Sequence, residues 1–421
     1  MAAPTSELGY ATSTYGWWGE GEHTPELRWP LSVEVYSRMC DQDAQVTSVL
    51  RAVSLPVLRT NWWLEKGSAR PEVAQQIAED LGLPVHGDTA QPAARRRMRD
   101  RFSWSEHLSH ALLMLQYGHS VFEQVYRPDS GSLRLRKLAW RPPSTITAFN
   151  VAPDGGLVSI EQPSLGGGDP VVIPSERLVV YAHERRGGQW VGRSLLRPAY
   201  KNWLLKDRLM RVQAQTIDRN GMGIPVYEAG EDEEDLTKGL QMAMALRSGA
   251  TAGAATRFGA KLRLMGVEGS TVDADPAIRY HDEQIARAVL AHFLNLGTQT
   301  GSWALGSTFA DFFTLSLQSV AQHIADVVTQ HVVEDLVDAN WGPGEPAPSI
   351  GFEEIGSRQA ATAQALKLLT DAGILHPDKP LEEALRQAHG LPVADPSTRT
   401  APPATTAPNS VPSSTEGDPN A

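Results

Sequence analysis

Apolar positions along this chain change their spacing three times, and each change predicts a different kind of element. Behind Asp41 or Asp43, either of which can cap a helix, Val46, Val49, Leu50 and Val53 recur at helical spacing. Pro56 lacks an amide hydrogen and is expected to end or kink that helix. A second helix is predicted from about Pro71 to Leu81, with proline at its first position, where an amide hydrogen would be unused. Leu108, Leu112 and Leu115 mark the apolar face of a third, with Ser105 as its cap and Gly118 as its stop. Val121, Phe122, Val125 and Tyr126 follow as a strand. From Leu133 to Val180 the pattern shortens to runs split by Pro and Gly: LRLRKLAW, STITAFNV, GLVSIEQP, PVVIP and RLVVYAH. These read as about five antiparallel strands.

Helical spacing then returns and lasts. Leu195, Trp203, Leu204, Leu209, Val212 and Ile217 line one rod from Leu195 to Gly221, about 35–40 Å long, with a heavily charged polar face. A small unit from Ile224 to about Val267 follows: the strand GIPVYEAG, the acidic-started helix EDEEDLTKGLQMAMALRSG, a Gly/Ala-rich bend at Gly249 to Ala255, and the strand AKLRLMGV. Asp275 is expected to cap the helix PAIRYHDEQIARAVLAHFLNL. A loop of small polar residues, GTQTGSWALGST, leads to a long helix from about Phe309 to Asn340. Short helices are expected over 353–390, separated by Gly373, Pro377 and Gly390. From Asp395 onwards Pro, Ser, Thr and Ala dominate, which predicts a disordered tail. The first 30 residues, rich in Gly, Thr and Trp, read as an extended arm; 31–40 receive no element of their own.

Composition narrows the classes. The 421 residues suffice for two or three packed regions, and 41% hydrophobic with 21% charged residues suits a soluble globular chain with extended parts. No apolar run approaches the ~20 residues of a bilayer span, and MAAPTSELGYATST lacks the basic start and apolar core of a signal peptide. A single cysteine, Cys40, excludes an intrachain disulfide framework and fits a reducing interior; without a basic neighbourhood it reads as a buried structural thiol. The net charge of −11 argues against a protein that grips nucleic acid by neutralising phosphates, though not against one that surrounds it without holding it.

Candidate chemistry centres on RRGGQWVGRSLLRP. Gly187, Gly192, Arg193 and Ser194 have the spacing of a phosphate-cradling loop, which would make a nucleotide-binding hydrolase of the Gly187–Ser194 segment. Three features oppose it. Arg193 stands where lysine belongs, Trp190 crowds the loop, and no later strand ends in an aspartate for magnesium. The alternative is that the glycines turn the chain from sheet to rod and Ser194 caps the helix. His107, His110 and His119 flank one helix, and His281 and His292 share another, without carboxylates placed as in a metalloprotease; no metal or cofactor is expected. Arg95, Arg96, Arg97, Arg99 and Arg101 read as a solvated helix face, with a partner surface or nucleic acid as the other use. The acidic run Glu231 to Asp235 suits a helix N-terminus.

Taken in order, these parts resemble the tailed-phage portal proteins, specifically the Mu-like branch. DAQVTSVLRAVSLPVLRTNWWLE is similar to that branch's opening signature, a helix followed by a tryptophan-bearing strand. LMLQYGHSVFEQVYR is similar to its helix, Tyr-Gly turn and Glu-carrying strand, and VGRSLLRPAYKNWLLKD resembles the block that opens the first stem helix. The resemblance spans about residues 40–390. It implies an α+β portal fold: an N-terminal arm (1–30), a mixed wing of helices and antiparallel strands (31–192), stem helix 1 (193–221), a small α/β clip (222–268) and stem helix 2 (269–296). A tunnel loop (297–308), a long kinked helix with its connection (309–352), a short helical crown (353–394) and the disordered tail (395–421) complete it. The crown is shorter than a long helical barrel.

The resemblance further implies a non-enzymatic ring of about twelve subunits at one capsid vertex, through which double-stranded DNA passes during packaging and ejection. Gln299, Thr300, Ser302 and Trp303 would lie nearest the DNA, and Gly192, Arg193 and Ser194 would make the wing-to-stem turn. Glu231, Asp232, Glu233, Glu234 and Arg247 of the clip would face the terminase large subunit, and a head–tail adaptor afterwards. Major capsid or scaffold protein would surround the ring, in the virion and, during assembly, in the host cytoplasm; no membrane is implied. Another head–tail connector component is the rival virion reading, but adaptors are shorter and lack two rods flanking an α/β insert. Net acidity fits a channel, since a lysine-lined bore would bind phosphates and add salt-dependent friction. The exposed surface of the Gly/Ala-rich bend is expected to be covered by neighbouring clips in a closed ring.

Overall fold

Asp43 sets the first corner of the fold. Its Oδ1 accepts from the amides of Gln45 (2.8 Å) and Val46 (3.2 Å), so α2 (Ala44–Arg59) starts there and α1 (Leu31–Gln42) ends. Of the two candidate caps the chain uses Asp43. In the computed structural model, the described residues are 22–87, 102–129, 131–222, 224–230, 235–245, 255–256, 259–265, 273–288 and 303–356, with Gly9, Ala11, Thr370 and Glu382 besides. The chain divides into two units, 1–356 and 357–421; the crown and tail expectations lie almost wholly outside the described residues.

Several boundaries differ from the expectations, for local reasons. The arm is not extended from residue 22 onward: a 3₁₀ turn at Pro25–Leu27 buries Leu27. Pro56 does not end its helix. Val53 and Val57 are both buried, and α2 continues through the proline to Arg59, where the amide and hydroxyl of Thr60 each donate to Pro56 O at 3.0 Å. α3 (Pro71–Leu81) begins and ends as predicted, with Gly82 in the left-handed region at φ +66°. α4 (Trp104–Ala111) is preceded by Ser103 rather than Ser105, because the amide of His107 takes Ser103 O at 2.9 Å. α5 (Leu113–Tyr117) stops at Gly118, φ +92°.

The strands make two three-stranded antiparallel sheets. β2 (His119–Asp129) lies between β3 (Ser132–Arg141) and β7 (Leu178–Ala182). The second sheet holds β4 (Ala148–Val151), β5 (Leu157–Gln162) and β6 (Val171–Pro174) in that order. The five strands expected between Leu133 and Val180 are therefore present, split over two sheets. Alternation along β2 serves both cores. Val121 packs between the sheets with Ile146, Ile160, Ile173, Leu178 and Val180, whereas Phe122 points into the main core.

That main core is closed by the last long helix among the described residues. It begins at Trp303, not near Phe309: α9 (Trp303–Val328) runs into a π-helical turn at Thr329–Val333 and then α10 (Glu334–Trp341). Leu317, Ala321, Ile324, Val328, Val332, Val333 and Leu336 form its buried face. At the π turn, His331 O accepts from Gln124 Nε2 at 2.8 Å, and Thr329 Oγ1 accepts from the amide of Ile350 at 3.0 Å. The side-chain amide of Asn340 clamps β3, accepting from Leu133 N (2.7 Å) and donating to Leu133 O (2.9 Å). Strand β10 (Ser349–Phe352) then pairs antiparallel with β1 (Trp62–Glu65), Trp62 opposite Phe352.

Between the sheets and α9 come α6 (Tyr200–Met222), β8 (Ile224–Glu228), α7 (Thr237–Ala245), β9 (Lys261–Met265) and α8 (Asp275–Ala288), with β8 and β9 antiparallel. Gly239 lets α7 lie directly on the ring of Tyr227, where a Cβ would overlap it. Asp275 opens α8 but does not cap it: its amide donates to Asp273 Oδ1 at 3.0 Å. Among the described residues, no helix is long and apolar enough to cross a membrane.

Candidate functional site

Residues 183–199 connect the sheet to α6, and this connection folds back on itself and is tied at several points to the residues around the start of β2. His183 N donates to Gly118 O (2.8 Å), Arg193 N to His183 O (2.8 Å) and Leu195 N to Leu115 O (2.8 Å). His119 Nδ1 lies 2.9 Å from Val191 O. Gly118 (φ +92°) and Gly192 (φ +65°) are where the two backbones meet. A Cβ on Gly118 would lie 2.6 Å from Val191 O, and one on Gly192 would overlap Gly118 O. Only glycine combines that backbone conformation with that approach.

Ser194 has a different part from the one expected. It is buried six residues before the first residue of α6, its hydroxyl donating to Gln116 O (2.5 Å) and accepting from Leu196 N (3.0 Å). It braces the turn rather than capping the helix, because 195–199 form turns before the helix starts. The phosphate-loop alternative fails on the same geometry. The amides of Gly188, Gln189, Trp190, Gly192, Arg193 and Leu195 all donate to protein carbonyls, so they make no cradle for phosphate oxygens. Arg193 is exposed, 3.8 Å from the carboxylate of Glu184.

Beyond the turn, Leu196, Ala199, Tyr200 and Trp203 pack with Leu27, Tyr36, Met39, Val46 and Ile285, joining α1, α2, α6 and α8 in one small core. An ion cluster sits beside it. Lys206 of α6 is 8% exposed; its Nζ donates to both oxygens of Asp43 at 3.0 Å and lies 2.6 Å from Asp282 Oδ1 of α8. Burial alone would lower the lysine's pKa, but hydrogen bonds to Asp282 and Asp43 and their charges outweigh it and hold the pKa above the ordinary value. One cation thus ties the cap of α2 to both helices of the pair. No local signal marks Lys206 for this, since it reads as one more charge on a solvated face.

The same two helices leave apolar side chains uncovered. On α6, Leu204, Leu205, Met210, Val212 and Ile217 are 38–59% exposed, and on α8 Tyr280 is 56% exposed. Leu204, Leu205 and Val212 fall within about 100° of one another around the rod, and Met210 and Ile217 lie together on another side of it.

Of the remaining predicted sites, Gln299, Thr300 and Ser302 lie outside the described residues, as do Glu231, Asp232, Glu233, Glu234, Arg247, His292 and the run Arg95–Arg101. Trp303, expected in the loop, is the first residue of α9. Asp235 is described: it precedes α7 and accepts from the amide of Thr237 at 3.0 Å. Among the described residues no group of His, Cys, Asp and Glu could hold a metal. His107 is buried against Tyr181 Oη (2.7 Å), His110 stacks on Trp140, and His281 lies 3.1 Å from Asn202 Oδ1. Burial, with Asp41 beside it, pushes the Cys40 thiol up to about 12, so it is a structural thiol and not a nucleophile.

A family model described as the portal protein of Mu bacteriophage matches residues 33–391 of this chain. Among solved structures, the neck of an empty gene transfer agent particle computed with C6 symmetry matches at TM-score 0.59 and 12% identity, over 87% of this chain and 95% of that one. The neck of the native particle computed with C12 symmetry matches at TM-score 0.56 and 12% identity, with the same coverage. The virion of the native particle gives TM-score 0.56 at 13% identity, again over 87% and 95%.

Proposed function

The chain belongs to the family of Mu bacteriophage portal proteins, and from that premise we propose that about twelve copies close into a ring that conducts double-stranded DNA through one vertex of a phage capsid. The family match over 33–391 carries this reading. The uncovered apolar side chains of α6, on two sides of the rod, support it independently, because leaving five large apolar side chains in water on one helix is unfavourable unless neighbours cover them. The count follows the neighbour whose neck was computed with C12 symmetry.

In this reading α6 and α8 form the stem, with Lys206 holding it to the body of each subunit. Residues 222–268 form the clip, whose acidic start, Glu231 to Glu234, and Arg247 face the terminase large subunit during packaging and a head–tail adaptor later. Residues 297–302 form the tunnel loop, with Gln299, Thr300 and Ser302 nearest the duplex and Trp303 at its base. The chain itself is non-enzymatic, and a separate ATPase supplies the packaging work. Its net charge of −11 suits a bore through which phosphates slide without being bound. Capsid or scaffold protein surrounds the ring, which assembles in the host cytoplasm and remains in the virion.

Mass photometry and negative-stain images of the purified chain test the proposal. Rings with an open hole wide enough for a duplex are expected. Compact monomers persisting at high concentration would sink it.

A further inference from the structure

Helices α6 and α8 are built unevenly along their length. At the body end they are anchored: Tyr200, Trp203 and Lys206 of α6 are buried, as are Ile285 and Ala286 of α8. Among the described residues, the hydrogen bonds and ion pairs between the two helices fall at this level. His281 Nδ1 lies 3.1 Å from Asn202 Oδ1, and Lys206 Nζ lies 2.6 Å from Asp282 Oδ1. Beyond it the pattern changes. From Asp207 to Ile217 of α6, and from Asp275 to Tyr280 of α8, no side chain is buried. The ion pairs there stay within one helix, Arg211 with Asp207 and Arg279 with Asp275, each at 2.8 Å.

Such a pair has little of its own to hold its outer half. A helix shorter than ~12–15 residues is marginal in water unless an apolar face is packed, and here the apolar side chains point elsewhere. At about 100° per residue, Met210 and Ile217 lie about 50° to one side of the line, midway between Asn202 and Lys206, that faces α8; Leu205 and Val212 lie about 90° to the other. All four are exposed. An occupant that fills one flank leaves the other in water. A second copy of this chain on either side covers both, one copy's flank meeting the opposite flank of the next, which is the head-to-tail contact that closes a ring.

We propose that this outer half, 207–217 of α6 with 275–280 of α8, is ordered by assembly: a single subunit holds its helices as far as Lys206, and its neighbours complete the rest. The inference rests on the ring proposed above and adds a regulation to it. β8 follows directly on α6, so the unit carried at the outer end takes its position only once copies have joined. A partner that recognises that unit meets a fixed surface on the ring and not on the free subunit, with Lys206 as the pivot between the two states.

Hydrogen exchange of the full-length chain tests this, read over 208–217 and 199–203 where mass photometry shows single subunits and where it shows rings. Leu204→Glu with Leu205→Glu, changed only at exposed positions outside both stretches, is expected to supply single subunits at concentrations where the wild type is assembled. In single subunits 208–217 is expected to exchange about a hundredfold faster than 199–203. In rings it is expected to slow by roughly tenfold or more, while 199–203 stays as it was. Equal protection of the two stretches in single subunits would overturn the inference and leave the portal reading standing. So would rings in which 208–217 still exchanges fast. A chain that forms no rings at any concentration loses both.

Discussion

Gly192 and Gly118 meet backbone to backbone, each in the left-handed region, at the point where the sheet hands the chain to the first long helix. Gly192→Ala would place a methyl group on Gly118 O and within 2.8 Å of His183 O, with no flexible atom to yield. A loss of roughly 3 kcal/mol is expected, read as an earlier urea midpoint at fixed protein concentration. A wild-type midpoint would contradict the close approach.

Lys206 joins three elements through one buried cation. Lys206→Met would leave Asp43 and Asp282 facing each other with no positive partner, and a cost of about 3 kcal/mol is expected. Adding Asp282→Asn to that variant is expected to recover part of the loss, because one uncompensated charge is then gone. Melting temperatures of the single and double variants decide it; additive losses would show that the three groups do not act as a cluster.

Two buried histidines make the fold sensitive to mild acid. Burial pushes His107 down to about 3, and pushes His119 down to about 4 against the opposing pull of the Val191 carbonyl. Both are neutral in the folded chain, while the unfolded chain takes up protons near the ordinary pH 6.5. Their contribution is therefore full above that pH and is lost as pH falls below it, towards about 4 for His119 and about 3 for His107. Stability is expected to drop between pH 7 and pH 5 by roughly 2 kcal/mol per histidine, and His119→Asn is expected to flatten that slope. Urea unfolding at several pH values measures it.

Glu22 titrates lower. Arg197, through its hydrogen bonds, holds the Glu22 carboxyl down to about 2 against burial. Its contribution is complete above the ordinary carboxylate range and is lost as pH falls through that range to about 2. Between pH 5 and 3, proteolysis is expected to reach the arm first; Arg197→Gln is expected to give the same nicking at neutral pH.

The uncovered face of α6 gives the sharpest test of association. Leu204→Glu with Val212→Glu puts charge on positions that are already exposed, so the subunit should keep its melting behaviour as a monomer while rings disappear by mass photometry. Rings that survive the double change would place the contact elsewhere.

Local signals carried much of the fold. Helix α3, the stop at Gly118 and the strand runs after Leu133 were legible because proline, glycine and period-two spacing act within a few residues. What escaped depends on distant partners. Ser194 has the composition of a cap, but its hydroxyl is taken by Gln116, 78 positions earlier. Lys206 and Asp43 are 163 positions apart, and β10 is four residues long with its pairing partner near the other end of the described chain. Helix α1 has no clear local pattern for a different reason: in SVEVY apolar and polar residues alternate, and only packing against α2 and the α6 junction shows which of them are interior.

The π turn at Thr329–Val333 carries one residue more than an α-helical turn would need. Upstream and downstream faces are therefore out of phase by about 100° compared with an uninterrupted helix. Deleting any one residue there would rotate Asn340 away from Leu133 and withdraw the carbonyl that Gln124 uses. A substitution at Thr329, Val332 or Val333 costs only the contacts of that one side chain, whereas losing a residue from the stretch shifts the phase of everything after it.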